Sequence, residues 1–176
     1  YFDTTNTTNG GDNMESHNFS LGIAESLSPS LSFNLSGGIV YMPVLDERFN
    51  WTAGASLTNT FERASLNISY TRAITQPSGL ANSINMRDSI LISWLQTLSA
   101  SFNITVSAGL SKNSLVFSSL ALDTTSYNAG INCNWQAYSW MRVGLGYSRF
   151  QQRVDGPLLQ DLSRDYVFVN ITAMLN

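Results

Sequence analysis

Charge is what this chain has least of. Asp, Glu, Lys and Arg make up 12% of its 176 residues, against ~25% in ordinary soluble domains, and Lys112 is the single lysine. A formal net charge of −3 leaves no basic footprint, which excludes nucleic acid as a partner. The lone cysteine, Cys133, excludes an internal disulfide and a thiolate metal site. Lying between Ile131 and Trp135 in an apolar alternation, it reads as an inert packed residue. No run approaches the ~18 apolar residues of a membrane-spanning helix. The segment after Tyr1 lacks a basic stretch followed by an apolar core, so any signal peptide is expected to lie outside this sequence.

What the chain has instead is alternation. In "SLSPSLSFNLSGGI" (26–39), Leu31, Phe33, Leu35 and Ile39 alternate with Ser32, Asn34, Ser36 and Gly38. One face is apolar; the other is polar but uncharged. The same period of two recurs to the end of the chain, and it is a strand period. It predicts nine strands, at roughly 17–27, 31–42, 49–61, 64–75, 88–98, 101–111, 125–137, 140–151 and 164–175. In the fifth, Leu91 and Leu95 fall on the polar side, which suggests a bulge there. The connections at 28–30, 62–63, 99–100 and 138–139 are tight, whereas those at 43–48, 76–87, 112–124 and 152–163 are long. Short and long alternate strictly, as in an up-and-down meander with all tight turns on one rim. "LSPSLSFNLSGGI" (27–39) also aligns without a gap with "LSASFNITVSAGL" (98–110), so one hairpin unit is used twice.

Strand length carries the next step. Soluble strands average about 5–6 residues. Eleven residues at ~3.3 Å each, tilted ~40°, rise about 27 Å, close to the ~25 Å apolar band of an outer-membrane barrel. Aromatics gather at strand ends: Phe61, Trp135, Tyr138 and Trp140 beside tight turns, and Tyr41, Phe49, Trp51, Tyr127, Tyr147, Phe150 and Tyr166 toward the long loops. Two interfacial belts would give that distribution.

On this architecture, and on phrases such as "LSPSLSFNLSGG" and "WMRVGLGYSRF", the chain resembles the porin-like transmembrane β-barrels of Gram-negative outer membranes. The resemblance implies an all-β, antiparallel up-and-down transmembrane barrel in the bacterial outer membrane, with tight turns in the periplasm and long loops outside. It implies lipid contact for Leu31, Phe33, Leu35, Ile68, Ile104, Val106, Leu145 and Val169. It implies a lumen lined by Ser32, Asn34, Ser36, Asn67, Ser69, Asn103, Thr105, Ser107, Asn132, Asn134 and Arg142. Outer-membrane lipids are the expected partners, with a protein inserted in the lumen or a second copy of the chain as further candidates. Such barrels have even strand numbers, so nine strands point to the C-terminal part of a barrel of ten or more, or to a complete barrel with an unusual start. Residues 1–176 are read as one barrel domain or barrel segment, with 1–16 as an external loop and Tyr1–Phe2 as the end of a further strand. The closing Leu175–Asn176 departs from the terminal aromatic that the family shows.

Candidate chemistry is thin. The only histidine, His17, stands near Asp12 and Glu15 and reads as a loop residue. Asp3, Asn6, Asn9, Asp12 and Asn13 offer oxygen ligands that calcium would accept, without the spacing of a calcium-binding loop, and read as a polar loop. The sequons at Asn6, Asn18, Asn34, Asn50, Asn67, Asn103 and Asn170 arise from the alternation itself rather than from glycosylation. Glu25 and Arg72 fall on the apolar register near strand ends. No nucleophile elbow, phosphate loop or metal cluster is present, so neither an enzyme nor a cofactor is expected. Three functions fit: a porin-like channel for small polar solutes, a sleeve around a partner protein or exported polymer, and a soluble surface adhesin.

Overall fold

The computed structural model describes residues 2–4, 16–42, 49–75, 84–117, 123–155 and 161–173. They form one antiparallel sheet. Its strands are β1 (Phe2–Thr4), β2 (His17–Ser28), β3 (Leu31–Tyr41), β4 (Phe49–Thr60), β5 (Ala64–Thr75), β6 (Ile84–Ser99), β7 (Phe102–Phe117), β8 (Asp123–Tyr138), β9 (Met141–Asp155) and β10 (Leu162–Ala173). Spatial order follows sequence order from β1 to β10, which is the up-and-down meander expected from the alternating loop lengths. Among the described residues no ladder joins β1 to β10. Phe2–Thr4 pair with His17–Phe19, so part of the segment read as external loop is a strand. Most of the proposed calcium loop lies outside the described residues.

Burial is inverted relative to a soluble domain. The buried hydrophobics are Val40 (6% exposed) and Met42 (8%), whereas Leu21 stands 69% exposed and Val167 73%. The apolar alternation therefore points away from any shared interior. From β2 to β9 every strand pairs with both neighbours, and a long sheet paired in this way with a greasy outward face suits hydrocarbon, where unpaired backbone is costly.

Three differences from the sequence reading have physical causes. First, β6, β7 and β8 each run 16 residues and β9 runs 15, longer than the apolar pattern indicated. The extra residues are mixed: Arg87↔Asn113 carries the β6–β7 ladder past the charged Asp88↔Lys112 pair, and it runs on through Asn85↔Leu115 to Ile84↔Phe117, while Thr124↔Val154 and Asp123↔Asp155 extend β8 and β9. Backbone pairing does not stop where greasy side chains stop. Second, the bulge expected at Leu91–Leu95 is absent, since β6 pairs in register from Asn85 to Gln96 on both sides. Leu91 and Leu95 lie on the polar face, opposite Gly109 and Thr105. Register shifts occur instead at Ser26/Ser28, Thr97/Ser99 and Gln136/Tyr138, each just before a tight turn, and at Ile84/Asn85 at the start of β6. Third, His17 is the first residue of β2 and stacks on Tyr41 at 6.2 Å, rather than lying in a loop.

The repeated phrase marks one turn built twice. Ser28 Oγ accepts from the amides of Ser30 (3.3 Å) and Leu31 (3.0 Å), and Ser99 Oγ accepts from the Ser101 amide (3.3 Å). In each, the serine directly after the bulge folds back on the turn it opens.

Candidate functional site

Register separates the side chains into two faces. Leu31, Phe33, Leu35, Ile68, Ile104, Val106, Leu145 and Val169 share the outward face. Ser32, Asn34, Ser36, Asn67, Ser69, Asn103, Thr105, Ser107, Asn132, Asn134 and Arg142 share the opposite one, here called the inner face.

The inner face is stitched by short side chains reaching across strands. Asn67 Nδ2 donates to Thr58 Oγ1 at 2.9 Å, Asn134 Nδ2 to Asn103 Oδ1 at 3.3 Å, and Asn113 Nδ2 to Thr124 Oγ1 at 3.4 Å. Small residues leave room beside them. A Cβ at Gly109 would strike the Asn128 amide, and one at Gly146 would fall within the Phe168 ring. These side chains lie flat across the sheet because the neighbouring strand presents only backbone.

Charge is sorted between the faces more sharply than the sequence reading held. Arg87 lies opposite Ala73 and Asn113, Arg142 opposite Gln136 and Thr172, and Arg164 opposite Phe150, so all three arginines share the inner face, and all three are exposed. Within β2–β10 that face carries no carboxylate. Glu25, Asp88, Asp123, Asp155 and Asp165 are all outward. Three of these five carboxylates are engaged there. Tyr70 Oη donates to Asp88 at 2.7 Å and Arg72 Nη1 at 3.1 Å. Lys112 Nζ meets Asp123 at 3.2 Å, and Tyr147 Oη donates to Asp165 at 2.7 Å. Arg72 also lies over the Trp51 ring, 3.9 Å from its centroid.

Two aromatics assigned to the outer belt face inward instead. Phe150 pairs with Asn128 and Arg164, and Tyr166 with Ser148. With Arg149 at their border they line a cleft of about 410 Å³ at the long-loop end of the inner face. Arg164 Nη1 donates to Tyr166 Oη at 3.4 Å in its wall. Parity would have found them. The outward positions of the last two strands are odd-numbered, from Val143 to Tyr147 and Val167 to Ile171, and Phe150, Arg164 and Tyr166 are even. Among the described residues no group of three or more His, Cys, Asp or Glu is placed to hold a metal ion.

The fold is that of an all-β, antiparallel up-and-down barrel wall, ten strands in sequence order among the described residues. It is similar to a solved structure of OmpTdeltaL8, a loop L8 deletion mutant of OmpT, an outer membrane protein of Vibrio cholerae, with a TM-score of 0.59 and 11% sequence identity. The match covers 92% of this chain and 54% of that one, so the chain spans about half the length of the protein it matches. No protein-family model and no curated protein sequence matches the chain.

Proposed function

We propose that the chain is barrel wall in the bacterial outer membrane, and that the barrel it belongs to is a porin-like channel for small polar solutes. The inverted burial carries this reading: exposed Leu, Ile, Val and Phe on one face, and Ser, Asn, Thr and Gly on the other. Lipid is the solvent that suits the first face, and water with small solutes suits the second. Resemblance of the fold to an outer membrane protein of Vibrio cholerae supports the location. The role assigned is transport rather than catalysis.

The full-length protein, purified in detergent and added to planar bilayers, is expected to give stepwise conductance. Absence of conductance together with a copurifying second component would replace the channel by a sleeve that houses a partner. A monodisperse protein in detergent-free buffer would remove the membrane reading altogether.

A further inference from the structure

We propose that the inner face prefers anions, and that the cleft around Arg164, Phe150 and Tyr166 is a binding subsite for small hydroxylated solutes bearing a phosphate or carboxylate group. This inference rests on the channel reading and adds the class of solute. Three arginines without a carboxylate on the same face of β2–β10 give that face a positive field. The chain as a whole is negative, at −3. The carboxylates of β2–β10 lie on the outward face, where Asp88, Asp123 and Asp165 are held by Tyr70, Arg72, Lys112 and Tyr147, while Asp3 of β1 takes the register position opposite Asn18. Asp165, next to Arg164 in sequence, is therefore turned away and does not neutralise it.

Position gives the arginines separate roles. Arg142 sits opposite Thr172, eight residues along β10 from Arg164, which is about 26 Å of strand. That is roughly three Debye lengths at physiological salt, so the two act at opposite mouths. Arg87 and Arg164 mark the long-loop mouth. At Arg164 a further element appears, because the cleft adds two aromatic rings and the polar side chains of Asn128 and Ser148. Guanidinium selects oxyanions by paired, charge-assisted hydrogen bonds. Aromatic faces take the apolar face of a ring-shaped solute, and amide and hydroxyl groups take its hydroxyls. The combination fits a sugar phosphate or sugar acid better than inorganic ions or neutral sugars.

The test uses the full-length protein in planar bilayers under a tenfold KCl gradient, with glucose 6-phosphate as blocker. The reversal potential is expected to show chloride permeating better than potassium. Glucose 6-phosphate should block at lower concentration than glucose or inorganic phosphate. Arg164→Gln should weaken block about tenfold, and Phe150→Ala by a smaller factor. Arg142→Gln should shift the reversal potential without changing block. Conductance with potassium preference would overturn the inference while leaving the channel standing. Equal block by glucose and glucose 6-phosphate, or block insensitive to Arg164→Gln, would overturn the subsite. Calorimetric titration of the detergent-solubilised protein with glucose 6-phosphate keeps the two readings apart. Arg164-dependent binding by a protein that does not conduct supports the subsite and sinks the channel. Neither binding nor conductance sinks both.

Discussion

On the outward face Asp88 accepts from Tyr70 and Arg72, Asp123 meets Lys112, and Asp165 accepts from Tyr147. On the inner face Arg87, Arg142 and Arg164 stand among Asn, Ser and Thr with no carboxylate beside them in β2–β10. Asp88 and Asp123 are thus charge-paired on one side of a sheet one residue thick, while the arginines of the other side share their face of β2–β10 with no carboxylate. Apolar side chains follow the opposite rule, dense outward and sparse inward. A paired charge at the edge of the apolar band can stay near lipid at small cost, since its field is cancelled locally. An unpaired charge needs water, and then it acts on whatever the water carries. The contrast teaches that the sign of a barrel's total charge says little about the sign its solutes meet.

The largest effect that could break this contrast comes from placing a charge on the wrong side. Val106 lies mid-strand on the outward face between Trp94 and Ile131, 46% exposed. Val106→Arg is expected to destabilise the folded barrel by about 2–4 kcal/mol, read from denaturant titrations in lipid vesicles. Ser107→Arg, one residue on, points to the inner face opposite Ser93 and Gly130 and should leave stability nearly unchanged while narrowing the interior. Equal losses from both would show that the two faces do not see different solvents.

A smaller effect tests packing on the inner face. The Phe168 ring occupies the space that a side chain at Gly146 would need. Gly146→Val is expected to cost ~1–3 kcal/mol through overpacking. In a Phe168→Ala background the same change should cost less than half as much, because the obstruction has gone. Additive losses would place the cost of Gly146→Val in the backbone rather than in the ring.

Most of the sheet was legible in the sequence, because a period of two is local and survives wherever one face must be greasy. The tight turns were legible for the same reason, and the repeat at 27–39 and 98–110 corresponds to one bulge-and-turn unit at Ser28 and again at Ser99. Two things were obscured. Beyond the Asp88↔Lys112 pair charged and polar residues interrupt the alternation before Met86, Ile84, Leu115 and Phe117, so hydropathy missed the strand ends that carry Arg87, Lys112 and Asp123. Phe150 and Tyr166 read as belt residues because aromatics near strand ends usually are. Their even parity, set against the odd outward residues of β9 and β10, carried the correct side. Leu91 and Leu95 failed differently, since two apolar residues on a polar face suggested a register slip where the face merely accepts them.

The smallest effects should come from the outward ion pairs, and they sharpen the comparison best. Arg72 and Asp88 are 20% and 34% exposed, and Arg72 is also stacked on Trp51; Lys112 and Asp123 are 55% and 38% exposed. Exposed pairs contribute ~0.2–1 kcal/mol, so Asp88→Asn should sit near the top of that range and Asp123→Asn near the bottom. Raising salt from 0.1 to 1 M shortens the screening length from ~10 to ~3 Å, which should erase the Lys112 contribution and spare most of that from Arg72. Neither substitution should move the reversal potential of the proposed channel, because each removes a charge that is already paired on the outward face. Arg164→Gln, on the inner face, should move it toward zero. If Asp88→Asn shifts ion preference as much as Arg164→Gln does, the division of charge between the faces does not govern permeation.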